Sequence, residues 1–151
     1  MKKLFVLLLL LCSITAYSET HVYLGVNALQ FLFNGICING ELLFEDLGLT
    51  GQYVTLSNAN YAASGFELGA KYYFQGYKGF NLQAAVSSST YSGTIIGTIY
   101  SAVVRAGWRY LPGKDTLSNS GLALDVGIGF GVGLNYSLVG PVAVLGLGYQ
   151  L

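Results

Sequence analysis

The feature that most constrains this chain is a strict alternation of apolar and small residues between positions 121 and 134. Apolar side chains occupy every even position from Leu122 to Leu134, whereas the odd positions carry glycine, Ala123 and Asp125. A period of two places alternate side chains on opposite faces of a β-strand and does not fit a helix. The repeated glycines also oppose a helix, because glycine lowers helix propensity. The segment therefore predicts a strand with one strongly apolar face.

The same alternation recurs along the rest of the chain. It is clean in segments 65–74, 80–88 and 98–110, and less regular in four others, at 22–33, 36–44, 49–56 and 141–151. In segment 49–56 the outward face is either Leu49, Tyr53 and Thr55 or the reverse. Turn-forming residues separate the eight segments, and Asn34-Gly35 is a strong hairpin signal. Segments of this length match a tilted transmembrane β-strand.

Composition narrows the fold class further. The chain is 53% apolar and 9% charged, whereas soluble domains average roughly 25% charged residues. This balance argues against a disordered chain and a soluble monomer, and the net charge of zero argues against a nucleic-acid partner. No apolar stretch after the N-terminal segment is long enough, and free enough of glycine and proline, for a membrane helix. Because only helices and closed barrels satisfy backbone hydrogen bonds in lipid, we predict an all-β fold, an eight-stranded antiparallel up-and-down transmembrane β-barrel.

The N-terminal residues 1–18 are predicted to be a cleaved signal peptide, which leaves 19–151 as the barrel domain. A basic start is followed by an apolar run, and Ala16 and Ser18 supply the small residues expected before a cleavage site. Cleavage after Ala16 and lipidation at Cys12 are the alternatives, although Leu11 stands where lipidation needs a small residue.

Removal of Cys12 leaves Cys37 as the only cysteine, so no intramolecular disulfide is expected. The ordinary interpretation of Cys37 is a small apolar side chain inside the barrel, and the alternative is a reactive thiol.

If the C-terminus lies in the periplasm, counting the strands back from it assigns each hairpin to one side of the membrane. Hairpins near 45–48, 75–79 and 111–120 then face the periplasm, and those near 34–35, 57–63, 89–96 and 135–140 face outside. Aromatic residues on the outward face cluster near the periplasmic strand ends, where an interfacial girdle is expected. These residues are Tyr72, Phe74, Phe80, Trp108, Tyr110 and Tyr149.

The charged residues of the predicted strands share the inward face. They are Glu41, Glu67, Lys71, Arg105, Arg109 and Asp125. A lysine or arginine facing lipid near the midplane costs about 2–4 kcal/mol, whereas side chains fill the interior of an eight-stranded barrel. We expect one paired network joining the six, in which loss of a single partner costs about 3–5 kcal/mol.

No catalytic, cofactor or metal site is predicted. His21 is the only histidine and lies next to the predicted mature N-terminus, which disfavours a histidine-activated nucleophile. Glu41 and Glu67 lie among basic residues without an evident cleft for glycoside chemistry. The glycines at 127–131 alternate within a strand, and no helix follows, so they do not form a nucleotide-binding loop.

Three motifs carry a family resemblance. They are the hairpin in which Phe66–Phe74 is followed by a turn and then by Gly79-Phe80, the strand Ala106–Tyr110, and the C-terminus, in which Gly146, Tyr149 and Leu151 match a Gly-x-x-aromatic-x-hydrophobic pattern. With these motifs the chain resembles small eight-stranded outer-membrane β-barrels of the outer membrane protein A transmembrane-domain type. The terminus departs from the family pattern, because it ends in leucine rather than phenylalanine and has Leu145 at a usually polar position.

The resemblance implies a bacterial outer-membrane location. It also implies that the lipid bilayer and lipopolysaccharide are partners and that the barrel assembly machinery acts during biogenesis. A monomer without cofactors is expected. Three roles remain: a structural barrel that supports envelope integrity, a surface adhesin or host-factor binder with short outer loops, and a narrow conduit for ions or small apolar molecules. An enzyme is not expected.

Overall fold

Alternating side chains along eight segments build a closed β-barrel in the computed structural model of this chain. The structure describes residues 20–57, 60–76, 78–93, 97–112 and 121–151. The predicted signal peptide, with its cleavage site and Cys12, lies outside the described residues.

The eight strands pair antiparallel in sequence order, and the last pairs back to the first. They are β1 (Thr20–Asn27), β2 (Gly35–Phe44), β3 (Leu47–Ser57), β4 (Tyr61–Tyr73), β5 (Gly79–Gly93), β6 (Gly97–Tyr110), β7 (Gly121–Gly133) and β8 (Val139–Gln150). The prediction of an all-β, eight-stranded, antiparallel up-and-down barrel is therefore confirmed. We call the end that carries Thr20 and Leu151 the terminal end, and the opposite end the far end.

Two of the far-end loops are shorter than the sequence predicts. The breaks expected at 57–63 and 89–96 shrink because β3 continues to Ser57, β4 starts at Tyr61 and β5 continues to Gly93. Serine and threonine favour turns, but here they pair across strands. The hydroxyls of Thr90 and Thr98, for example, lie 3.1 Å apart in a hydrogen bond.

The strand predicted over 22–33 is wrong beyond Asn27, because Ala28–Phe33 form a 3₁₀ helix. The Asn27 side chain accepts a hydrogen bond from the Leu29 amide at 3.2 Å and starts the helix. Asn34 adopts the left-handed conformation, with φ 56°, and ends it. The Asn-Gly pair therefore terminates a helix instead of forming a two-residue hairpin.

The register of β3 resolves the ambiguity in segment 49–56. Leu49 pairs with Leu42 and Tyr53 pairs with Ile38, so these residues share the outward face of β2. The first of the two predicted faces, with Leu49, Tyr53 and Thr55 outward, is correct. No helix in the described part of the chain is long and apolar enough to cross a membrane.

Candidate functional site

All six charged residues predicted to face inward are buried in the barrel, each less than 10% exposed. They divide into two groups. Glu41, Lys71, Arg109 and Asp125 form the terminal-end cluster, and Glu67 pairs with Arg105. Within the described residues, no ion pair or hydrogen bond joins the two groups, so the single network expected from the sequence is in fact two.

Arg109 is the centre of the terminal-end cluster. Its Nε and Nη2 donate to the two oxygens of Asp125, both at 2.7 Å, and Nη2 also donates to Glu41 Oε2 at 2.6 Å. Lys71 Nζ donates to the same Glu41 oxygen at 3.2 Å and lies 3.7 Å from Asp125 Oδ2. Two acids thus neutralise two bases inside the barrel, as buried charges require.

Two tyrosines complete this cluster, in addition to the charged residues predicted from the sequence. The Tyr73 hydroxyl lies 2.9 and 3.0 Å from the two oxygens of Glu41. The Arg109 guanidinium lies 4.2 Å from the centroid of the Tyr23 ring and 5.2 Å from that of Tyr73. Both contacts are within cation–π range. The sequence does contain a signal for these two residues, because the alternation places Tyr23 and Tyr73 on the inward face beside the charged residues.

Inward glycines provide the space that the cluster occupies. A Cβ on Gly48 would lie 1.8 Å from Glu41 Oε1, and one on Gly148 would lie 2.4 Å from the Tyr23 ring. Any larger residue at either position would collide with these side chains. The glycine-rich inward faces therefore allow large polar side chains from neighbouring strands to cross a narrow lumen.

The terminal half of the lumen is filled. Leu43, Leu111 and Ala123 pack with Tyr23 and Tyr73 in a buried apolar group near the terminal strand ends. Between the two charged groups there is a cavity of about 50 Å³, lined largely by polar residues. Arg105 donates to both oxygens of Glu67, at 2.6 Å for the Nη2–Oε2 contact, and lies on the far side of this cavity.

The far half of the lumen is open. A cavity of about 660 Å³ extends from Arg105 and Glu67 to the far end, between the 3₁₀ helix and the strands β3 to β8. Its volume falls in the range of roughly 300–1,000 Å³ that is typical of small-molecule sites. We call this cavity the far-end cup.

The outward face of the barrel is apolar, whereas charged and polar side chains lie in the lumen. Large apolar side chains cover the outward face, including Leu68 at 66% exposed, Ile128 at 73% and Phe130 at 66%. On the described strands no charged side chain faces outward. The exposed charged residues Glu45 and Asp46 lie in the turn between β2 and β3.

The six predicted girdle residues are all exposed and lie toward the terminal end of the outward face. Two close ring contacts join three of them: Tyr72 and Phe74 pack edge to face with centroids 5.1 Å apart, and Phe74 lies 5.3 Å from Phe80. At the far end, exposed aromatic residues include Phe31, Phe33 and Tyr136.

The remaining sequence candidates occupy separate places. His21 Nδ1 lies 3.3 Å from the Leu151 carbonyl at the terminal end. Cys37 is buried in the barrel, and its thiol donates to Gln52 Oε1 at 3.7 Å. Among the described residues, no group of three or more histidine, cysteine or acidic side chains is arranged to hold a metal.

The C-terminal motif is part of the barrel seam. The Leu151 amide donates to the Val22 carbonyl at 2.7 Å, which joins the end of the chain to β1. Tyr149 and Leu151 face outward, whereas Gly146 is buried against Asp125.

Comparison with protein-family models, with curated proteins and with solved structures finds no match to this chain.

Proposed function

We propose that this chain is a small integral outer-membrane β-barrel protein with a structural role in the envelope. The observation that carries the proposal is the inverted polarity of the barrel. All charged residues of the described strands are inside and paired, and the outward face is apolar. A soluble barrel has the opposite arrangement, and monomeric soluble proteins rarely expose contiguous apolar patches larger than a few hundred Å².

The closed sheet supports the same location. In lipid, backbone polar groups need internal partners, and the pairing of β8 back to β1 supplies them along most of the sheet. Strand tilt in such barrels allows 9–11 residues to cross the hydrocarbon layer, and β2 to β8 each have at least ten residues. Exposed aromatic residues toward both ends fit the girdles expected at the two interfaces.

The filled terminal half of the lumen favours a structural role over a conduit. Ions would have to cross the terminal-end cluster and the apolar group near the terminal strand ends. The side chains of both are almost fully buried. An adhesive role is less favoured, because the connections between β3 and β4 and between β5 and β6 have only three residues each.

Fractionation and reconstitution test this proposal. The full chain, expressed in a diderm bacterium, is expected in the outer-membrane fraction, and refolded protein is expected to show a β-type circular dichroism spectrum and heat-dependent gel mobility. In planar bilayers the folded protein is expected to give no unitary conductance. Recovery as a soluble protein would refute the location, and a stable conductance would replace the structural role with transport.

The structural role has its own test. A strain without this protein is expected to admit bulky antibiotics, and expression of the wild-type chain is expected to restore the barrier. Unchanged sensitivity in that strain would contradict a role in envelope integrity.

A further inference from the structure

The barrel wall is incomplete at the seam between β1 and β8. β1 ends at Asn27, and its pairs with β8 run only from Tyr23–Gln150 to Asn27–Gly146. The far-end half of β8, Val139 to Leu145, is paired to β7, but no strand among the described residues pairs with its other side. The 3₁₀ helix lies beside this free edge, and in the described part of the chain no backbone hydrogen bond joins the two.

The backbone of β8 fits a free edge. The Leu145 amide points toward β1, because it donates to the Asn27 side chain at 3.2 Å. In an antiparallel strand every second residue directs its polar groups to the same side, so those of Ala143 and Pro141 also point to the gap. Pro141 has no N–H, and proline within a sheet is confined to edges, bulges and strand starts. Pro141 therefore marks this stretch of β8 as a sheet edge, which a second β-strand does not complete.

The far-end cup reaches this gap. Four consecutive residues of β8 line it there; Val142 and Val144 face the lumen, and Pro141 and Ala143 face outward. Leu29, Gln30 and Phe33 line it from the 3₁₀ helix. Mainly apolar residues therefore border the gap between β8 and the helix. The gap lies next to the exposed apolar face of β7, in which Phe130 pairs with Pro141.

Inside the gap the cup becomes polar. Ser87, Ser101 and Gln52 line its inner wall, and Arg105 and Glu67 form its floor. The Nε of Arg105 has no hydrogen-bond partner among the described residues, and this side chain is 8% exposed. The cup is wide at its apolar wall, because Gly131 and Gly140 lie opposite each other in register.

We propose that the far-end cup binds a single-chain amphiphile with a small hydrogen-bonding head group, such as a fatty acid, whose acyl chain leaves into lipid through the gap between β8 and the 3₁₀ helix. The head group contacts the serine hydroxyls and the Arg105 floor, and the chain passes between Pro141 and the 3₁₀ helix. This arrangement explains why a polar interior and an apolar gap share one cavity. The inference rests on the membrane location proposed above.

Photo-crosslinking tests the site directly. The protein is reconstituted in phosphatidylcholine vesicles with a palmitic acid analogue that carries a diazirine near the carboxyl group. Adducts are expected on lumen-facing residues such as Ser101 and Val103, and excess palmitate is expected to abolish them. Hexadecane, which has no head group, is expected to displace the probe poorly, and equal displacement would contradict the head-group contact.

A matched pair of variants separates the cup from general lipid contact. A Cβ on Gly140, which faces the cup, meets no atom within 4 Å, and one on Gly51, which faces outward, meets only Leu68 at 3.5 Å. Gly140→Leu is expected to remove at least 80% of the lumen adducts, and Gly51→Leu is expected to keep them. Gel mobility reports whether each variant has folded.

The outcomes distinguish this inference from the proposed location. Adducts confined to outward residues such as Ile128, or lumen adducts that palmitate does not reduce, would overturn the binding site and still support a membrane barrel. Absence of adducts on both faces would contradict both proposals.

Discussion

Replacing Asp125 with asparagine tests the terminal-end cluster with an almost isosteric change. Asp125 accepts two hydrogen bonds from Arg109 at 2.7 Å and lies 3.7 Å from Lys71. The amide of Asp125→Asn accepts only one of those bonds and carries no charge. Hydrogen bonds to charged groups contribute about 1.5–3 kcal/mol each, and the variant leaves one uncompensated positive charge in the lumen. We expect the free energy of unfolding to fall by about 3–5 kcal/mol.

Urea unfolding of the reconstituted barrel, followed by gel mobility, measures this change. Asp46→Asn is the matched control, because it makes the same substitution in an exposed turn, where an effect within about 0.5 kcal/mol is expected. Adding Lys71→Met to Asp125→Asn restores neutrality and is expected to show a favourable coupling of about 1–3 kcal/mol. Equal stability of Asp125→Asn and Asp46→Asn would refute the reasoning.

Three other predictions follow from the same geometry. Gly129→Ala places a Cβ 2.0 Å from the Val104 carbonyl oxygen, whereas a Cβ on Gly140 meets nothing within 4 Å. In urea unfolding, Gly129→Ala is therefore expected to lower the free energy of unfolding by about 1–3 kcal/mol more than Gly140→Ala does. Equal losses in the two variants would contradict this packing. Ile128→Lys is expected to cost about 2–4 kcal/mol in lipid, compared with less than about 0.5 kcal/mol for Ser137→Lys in the exposed loop between β7 and β8. A neutral Ile128→Lys would count against a lipid-facing apolar surface. Cys37, at 1% exposed, is expected to react with a maleimide only after unfolding; rapid labelling of the folded protein would place it elsewhere.

The sequence predicted the barrel well because alternation is a local property. Once apolar and small residues alternate over ten positions, as between Leu122 and Leu134, the strand and its two faces follow without knowledge of any neighbour. The strand order then follows from seven consecutive short connections, and the inward direction of Arg105 and Arg109 follows from the pleat.

The errors arose where structure depends on distant pairing. The 3₁₀ helix at Ala28–Phe33 forms because Asn27 caps it and also contacts Leu145, a residue 118 positions away. The division of the six charges into two groups depends on the stagger between strands, which alternation alone does not determine. The gap beside β8 follows from the early end of β1, although Pro141 was a visible sign of an edge.

Fluorescence quenching of Trp108 tests the central claim, that the apolar face of this barrel contacts lipid. Trp108 is the only tryptophan in the chain, faces outward and is 48% exposed. In vesicles whose lipids carry bromine on the acyl chains, we expect strong quenching of Trp108 and little quenching by aqueous iodide. Efficient quenching by iodide with no effect of brominated lipid would contradict the membrane location and, with it, the proposed function.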